Sequence, residues 1–189
     1  MKKRLSEMTL EELWALFPII LTQHDPAWTE WYQEKEALLQ NILPKAEVLR
    51  ISHIGSTAIP AIWAKPIVDI VVEVNKDCNL ADIQKILTEN GFICMSREEN
   101  RMSFNMGYTE DGFAEKVFHL HLRKAGDHKE LYFRDYLINH PDIAKEYEKM
   151  KLGLWKEYEH HRDGYTQAKS TFIAHYTALA QKEYENRYE

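Results

Sequence analysis

One run of nine residues, PIVDIVVEV at positions 66–74, most strongly limits what this chain can fold into. Six of its nine side chains are Ile or Val, and β-branched residues favour the extended backbone of a strand. Asp69 lies within this apolar run, where a buried carboxylate without a partner costs free energy. The run therefore predicts a strand built for burial that carries one residue with a chemical role.

The composition is that of an ordinary globular protein. The 189 residues are 44% hydrophobic and carry a net charge of −6, which gives no general attraction to long nucleic acids or to an anionic membrane. No apolar stretch is long enough to span a bilayer, and no secretory leader is visible. Cys78 and Cys94 show no metal or redox spacing. We therefore expect a complete cytoplasmic protein that forms a single domain over residues 1–189.

Hydrophobic periodicity and turn residues predict the order of the elements. The predicted strands are 47–54, 65–74, 92–98, 101–108 and 116–123. The predicted helices are 6–17, 25–43, 79–92, 129–140, 142–161 and 165–184. This order predicts an α+β fold, with a mixed sheet inside a core of residues 25–125, helices packed on one face, and a helical C-terminal part over residues 128–185.

Alternation along the strands predicts that one face of the sheet is polar, because successive side chains point to opposite faces. The residues predicted on this face are Asp69, Ser103, Asn105, His119, His121 and Arg123. A simply solvated face is the alternative. Two histidines two residues apart, with a carboxylate, favour a ligand surface instead. Their Cα atoms would lie roughly 6 to 7 Å apart, close enough to share a metal ion.

Five spaced motifs carry a resemblance to a known family. HIGSTAIP, AKPIVDI, FHLHLR and LYFRDYLINHP, together with HDPAW near the start, resemble the GrpB family of the nucleotidyltransferase superfamily, which has the polymerase-beta-like fold. Ala61 stands where that family usually has a glycine. The resemblance implies a nucleotidyltransferase-like fold in which Gly55 and Ser56 form a turn that holds nucleotide phosphates.

The resemblance also implies a metal site, with one departure from the superfamily pattern. Asp69 matches the first of two acids that bind Mg²⁺, but Val71 stands at the position of the second. Glu73 lies roughly 13 Å further along the strand, and histidines replace the carboxylate expected on the later strand. We therefore predict that Asp69, His119 and His121 are both the catalytic residues and the ligands of a divalent metal, Mg²⁺, Mn²⁺ or Zn²⁺. One histidine could instead act as a general base.

Further residues are predicted to contact phosphate or nucleotide. They are His53, Gly55, Ser56, Thr57, Lys65, Arg123 and Lys169. Ordinary structural roles compete with this prediction: His53 as a hydrogen-bonding partner, Thr57 as a helix cap, and the two lysines as solvated side chains.

The leading hypothesis is an enzyme, a metal-dependent nucleotidyltransferase that moves a nucleotidyl group from a nucleoside triphosphate to an unknown small molecule or protein. The acidic surface argues against a long nucleic-acid substrate. One alternative is a non-catalytic nucleotide- or coenzyme-binding module, which the missing second acid favours. The family's fusion to dephospho-CoA kinase would link such a module to coenzyme A metabolism. Another alternative is a phosphate-ester hydrolase that uses a metal held by the aspartate and the two histidines.

Overall fold

Residues 3–188 are described by the computed structural model, and they include five strands in one mixed sheet. Residues 1, 2 and 189 of the predicted domain lie outside this range. The strands are β1 (Val48–Ile54), β2 (Val68–Val74), β3 (Ile93–Arg97), β4 (Arg101–Thr109) and β5 (Gly112–Lys124). Their order across the sheet is β1-β2-β5-β4-β3. β2 and β5 pair in parallel, whereas the other neighbouring strands pair antiparallel.

Six α-helices accompany the sheet within the same residue range. They are α1 (Leu10–Leu16), α2 (Ala27–Ile42), α3 (Leu80–Glu89), α4 (Lys129–Asn139), α5 (Pro141–Tyr158) and α6 (Arg162–Glu183). α1 begins with a capping box, in which the side chain of Thr9 accepts from the Glu12 N–H and the Glu12 side chain accepts from the Thr9 N–H. The predicted α+β class, with a mixed sheet and a helical C-terminal part, is confirmed.

The apolar face of the sheet packs against α2 and α3 and forms the main core. Val68 and Ile70 of β2, Leu120 of β5, Leu39 of α2 and Leu87 of α3 are fully buried in this cluster. Each such side chain contributes roughly 1.5–3 kcal/mol on burial. A shift of one residue in register would turn these groups to the opposite face, so the core fixes the direction of every strand side chain.

The three C-terminal helices lie on the other side of the sheet. α4 packs against β1, where Leu131 joins Ile54 and Val71 in a small apolar cluster. α5 reaches the turn after β1, since Nζ of Lys151 donates to Oγ of Ser56. The sheet and the C-terminal helices therefore enclose the polar face between them. None of the helices in the described range is long and apolar enough to span a membrane.

Candidate functional site

The predicted polar face forms as the alternation requires. Asp69 is the register partner of His119 across the parallel pair β2–β5. On the other side of β5, Ser103 pairs with His121 and Asn105 with His119. Three adjacent strands therefore place these five residues on one side of the sheet, opposite the buried apolar side chains.

The carboxylate of Asp69 contacts both imidazoles. Its Oδ1 lies 3.3 Å from Nδ1 of His119 and 3.4 Å from Nε2 of His121. Burial raises the pKa of the Asp69 carboxyl, but the hydrogen bonds from His119 and His121 outweigh it and hold the pKa well below its usual range. Burial lowers the pKa of His119, and the nearby carboxylate only partly opposes that shift. At neutral pH the pair is therefore an ionised aspartate and a neutral imidazole.

His119 is held from its other side by Tyr108, a residue that the sequence analysis did not single out. The Tyr108 hydroxyl lies 2.7 Å from Nε2 of His119 and accepts a hydrogen bond of 2.9 Å from Nη2 of Arg162 in α6. With the Nδ1–H of His119 donating to Asp69, Nε2 accepts from the Tyr108 hydroxyl, and this network sets the tautomer. A chain of polar contacts thus joins the sheet to the last helix.

A bulge explains why simple alternation missed Tyr108. Strict alternation along β4 would place Tyr108 on the apolar face with Phe104 and Met106. The pairing with β5 shifts register between Met106 and Tyr108, and Gly107 there has a φ of 89°. The extra residue turns Tyr108 to the polar face, as β-bulges commonly do near functional sites.

Gly55 brings the turn after β1 against Asp69. Its φ is 71°, a left-handed conformation that favours glycine. A Cβ atom built at this position would collide with Oδ2 of Asp69. Ser56 follows in a single 3₁₀ turn, Ser56–Ala58. The Gly-Ser step therefore lies directly beside the acid, as the family pattern implies.

His53 and Thr57 stabilise this turn. Nε2 of His53 lies 2.9 Å from Oγ1 of Thr57, and the Thr57 hydroxyl donates to the carbonyl of Ile67 at 3.2 Å. The His53 ring stacks on Tyr32 with the ring centres 4.9 Å apart. Burial lowers the pKa of His53 to about 4. These contacts match the structural alternative, and the predicted phosphate contact of the two residues stays a prediction.

Two lysines approach the site, one from the loop before β2 and the other from α6. Nζ of Lys65 and Nζ of Lys169 lie 5.9 and 4.4 Å from the centre of the Tyr165 ring. Burial, together with the nearby charge of Lys169, lowers the pKa of Lys65 to about 7, and burial lowers the pKa of Lys169 to about 8. Asp69 opposes both shifts. Among residues 3–188, no carboxylate forms an ion pair with either lysine within 4.0 Å.

Lys151 of α5 is a third lysine at the site, and sequence reasoning missed it. Its side chain is buried, and Nζ donates to Oγ of Ser56 at 2.9 Å and to the carbonyl of Trp63 at 2.5 Å. Nζ also lies 4.8 Å from the centre of the Tyr147 ring. In a helix rich in Lys and Glu such a residue is typical of a solvated face. Only the packing of α5 against the Gly-Ser turn reveals its position.

Arg123 and Glu73 lie on the polar face but are engaged elsewhere. Nη2 of Arg123 pairs with Glu130 at 2.9 Å. Glu73 pairs with His128 at 2.6 Å and with Arg50 at 3.3 Å. The ion pair neutralises Arg123, so its placement does not support the predicted phosphate contact. Glu73 lies too far along β2 to act with Asp69, as expected.

The residues around Asp69 do not fit the three-ligand metal centre that the sequence analysis predicts. Asp69, His119 and His121 converge, but the carboxylate is hydrogen-bonded to both imidazoles. In the described part of the chain, no group of three or more His, Cys, Asp and Glu side chains is arranged to hold an ion. Val71, at the position of the second acid, is buried in an apolar cluster. The surrounding lysines and Arg162 add positive charge, which favours binding of an anion over binding of a metal cation.

Fold and site together define an α+β protein with a polar site, rich in lysine, on one face of a mixed sheet. The model of the GrpB protein family matches residues 18–179, and the chain belongs to this family. It is 33% identical to the glutamate-rich protein GrpB of Alkalihalophilus pseudofirmus over 163 residues, which cover 82% of this chain and 91% of that protein.

Two further comparisons agree with this family. The UPF0157 protein YqkA of Bacillus subtilis is 31% identical over 153 residues, which cover 79% of this chain and 43% of that longer protein. The crystal structure of the conserved protein GrpB from Enterococcus faecalis superposes with a TM-score of 0.76 at 29% identity, covering 87% of this chain and 99% of that one. The resemblance seen in the sequence motifs is therefore confirmed at the level of the GrpB family.

Proposed function

We propose that this protein is a nucleotidyltransferase that binds a nucleoside triphosphate on the polar face of the sheet. One observation carries the proposal: three lysines that form no ion pair with a carboxylate of residues 3–188 lie around the ionised Asp69 and the Gly-Ser turn, and they are Lys65, Lys151 and Lys169. Bringing like charges together costs free energy. A polyanion such as a triphosphate would offset that cost, and transfer of a phosphorus group needs this kind of fixed positive charge.

A buried hydroxyl beside the lysines supports an anionic ligand. Tyr165 is 1% exposed, and its hydroxyl has no hydrogen-bond partner among the described residues. Burial raises the pKa of Tyr165, so the hydroxyl keeps its proton and can donate. A buried donor without an acceptor is costly, and a phosphate oxygen between Lys65 and Lys169 would supply one.

Asp69 and His121 supply a general base for the acceptor. Nε2 of His121 faces the carboxylate at 3.4 Å, while its Nδ1 makes no hydrogen bond within the described range. Asp69 would orient the imidazole and stabilise its charged form, as in other aspartate–histidine pairs. The free Nδ1 could then take the proton of an acceptor hydroxyl that attacks the α-phosphorus. Both nitrogens of His119 are engaged, which suits a supporting role.

A non-catalytic nucleotide- or coenzyme-binding module is the second candidate. The observation that favours it is Val71, an apolar side chain where the superfamily keeps its second acid. Such a module would bind the same ligand through the same lysines but release no pyrophosphate. A hydrolase that depends on a metal held by three side chains has no comparable support.

Calorimetric titration with ATP and a pyrophosphate-release assay together test the proposal. Lys169→Met should weaken ATP binding by about tenfold or more, because a charged hydrogen bond is lost. Lys149→Met, on the exposed face of α5, should bind like the wild type. Parallel titrations with Mg²⁺ and with EDTA test the predicted dependence on a divalent metal. Binding without pyrophosphate release would support the module, and no binding of any nucleoside triphosphate would overturn both candidates.

A further inference from the structure

Ser56 and Lys151 form a pair that anion binding alone does not require. The hydroxyl oxygen of Ser56 lies 2.9 Å from Nζ of Lys151, while the second polar contact of Nζ is the carbonyl of Trp63. Ser56 itself is half-buried at the start of the turn, and Lys151 is only 2% exposed. The serine therefore reaches solvent at the site while the amine behind it is withdrawn from water.

The surroundings of Lys151 favour the neutral amine. Burial, together with the nearby charges of Lys169 and Lys65 and against the opposing effect of Glu148, lowers the pKa of Lys151 to about 7. The carboxylate of Glu148 accepts from the Trp63 N–H and from Lys145. Tyr147 also faces Lys151; its hydroxyl is hydrogen-bonded to Ser56 and stays uncharged, because burial raises the pKa of Tyr147 more than that hydrogen bond lowers it. A substantial fraction of Lys151 is thus unprotonated at neutral pH.

We propose that Ser56 is a nucleophile, activated by Lys151 as its general base, that forms a covalent bond to the phosphorus of a bound phosphate ester or anhydride. Serine–lysine pairs are a recognised way to activate a hydroxyl. The choice of a phosphorus substrate rests on the proposed function, because the lysines around the serine select an anionic ligand. The activation of Ser56 itself rests only on the serine–lysine geometry.

The step balances without any further reactant. Oγ of Ser56 attacks phosphorus, the Oγ–P bond forms, and the bond from phosphorus to the leaving oxygen breaks. The hydroxyl proton passes to Nζ of Lys151, which becomes an ammonium ion. That ion holds the proton while the leaving group departs as an anion. An acceptor hydroxyl or water, whose proton passes to His121, later attacks the phosphorus, the Oγ–P bond breaks, and the Lys151 ammonium ion returns its proton to Oγ of Ser56.

A fluorophosphonate probe tests this inference without any nucleotide. The hydroxyl of an activated serine displaces fluoride from phosphorus, and mass spectrometry of peptides locates the adduct. We expect Ser56 to be labelled at least ten times faster than Ser170, a serine on the exposed side of α6. The rate should fall by about tenfold per pH unit below the pKa of the base, near pH 7.

Two arginine variants test whether Lys151 acts as a general base or only as a positive charge. Lys151→Arg keeps a positive charge at every pH in this range, so it cannot take the proton of Ser56 and should lose labelling. Lys149→Arg, on the same helix but exposed, should label like the wild type. Circular dichroism confirms folding of each variant, and Lys151→Met provides a second, uncharged test if the arginine is not tolerated.

The outcomes of the two experiments are distinct. Labelling of Ser56 that disappears in Lys151→Arg supports the nucleophile, even if ATP does not bind and the proposed function fails. Absent labelling, or labelling that is equal in wild type and both Lys151 variants, overturns it. In that case intact ATP binding would show that Ser56 and Lys151 only hold phosphate.

Discussion

The α-carbon of Gly55 lies directly behind the carboxylate of Asp69, so closely that no side chain fits between them. The two residues belong to neighbouring elements, because Asp69 pairs with Ile54 at the end of β1. The same carboxylate contacts His119 and His121 in β5. One backbone position therefore sets the distance between the Gly-Ser turn and the row of polar side chains.

Gly55→Ala tests this close approach, with Gly126→Ala as the matched control. Both glycines have positive φ, 71° and 111°, but a Cβ at Gly126 meets nothing within 4 Å. Each alanine should cost about 1–2 kcal/mol for the backbone conformation. Gly55→Ala should cost more, since Asp69 must move, and should also weaken ATP binding. Chemical denaturation measures the unfolding free energy of each variant. Equal losses in the two variants would contradict the role given to Asp69.

Ala61→Gly should stabilise the protein. Ala61 has a φ of 63°, at the position where the family usually has glycine, and alanine is strained in that conformation. Relief of the strain exceeds the added freedom of the unfolded chain, so we expect a gain of about 0.5–1 kcal/mol in unfolding free energy. Ala178→Gly, exposed within α6, should instead lose about 1 kcal/mol. A loss in both variants would show that Ala61 is unstrained.

Periodicity predicted the sheet because burial enforces it. Val68 and Ile70 must face the core, so Asp69 must face the other way, and the same logic places His119 and His121 beside it. Alternation fails where the backbone departs from a regular strand, which is why Tyr108 was missed.

The cationic part of the site was harder to predict. Lys151 and Arg162 belong to helices whose surfaces are rich in charge, and no local pattern distinguishes a buried lysine from a solvated one. The position of Lys151 depends on how α5 packs against the turn after β1, more than ninety residues away along the chain, and that of Arg162 depends on how the start of α6 meets Tyr108 of β4. Arg123 shows the converse case. The face of the sheet on which Arg123 lies was predicted correctly, but Arg123 forms an ion pair with Glu130 on the following helix.

Nucleotide affinity should fall as the pH rises from about 6 to 9. In the free protein the pKa of Lys65 is lowered to about 7 and that of Lys169 to about 8. A bound triphosphate favours the charged lysines and raises both values, so binding takes up protons. Calorimetry in two buffers of different ionisation enthalpy measures this uptake. Lys65→Arg should flatten the pH dependence, and an affinity that is constant over this range in the wild type would exclude a role for the lysines.

Tyr108→Phe should disturb His119 without disturbing the core. The ring keeps its contacts with Phe17 and Phe113, at centre distances of 4.8 and 5.3 Å. The lost hydroxyl removes one hydrogen bond from Nε2 of His119 and one from Nη2 of Arg162, which should cost about 1–3 kcal/mol. Nitrogen NMR of the imidazole should then show a mixture of tautomers. Tyr176→Phe is the control, because the Tyr176 hydroxyl makes one long contact on the surface. A single unchanged tautomer in Tyr108→Phe would contradict the network.

Parallel neighbours such as β2 and β5 cannot be joined by a tight turn, and the chain between them includes α3, β3 and β4. The meander β3–β4–β5 needs only local pairing, whereas β2 must find β5 across a long loop at a greater entropic cost. We therefore expect the meander to form early in folding and the contact between Asp69 and His119 to form late. A ligand bound at that contact would then stabilise the native state chiefly by slowing its unfolding, with little effect on the rate of folding.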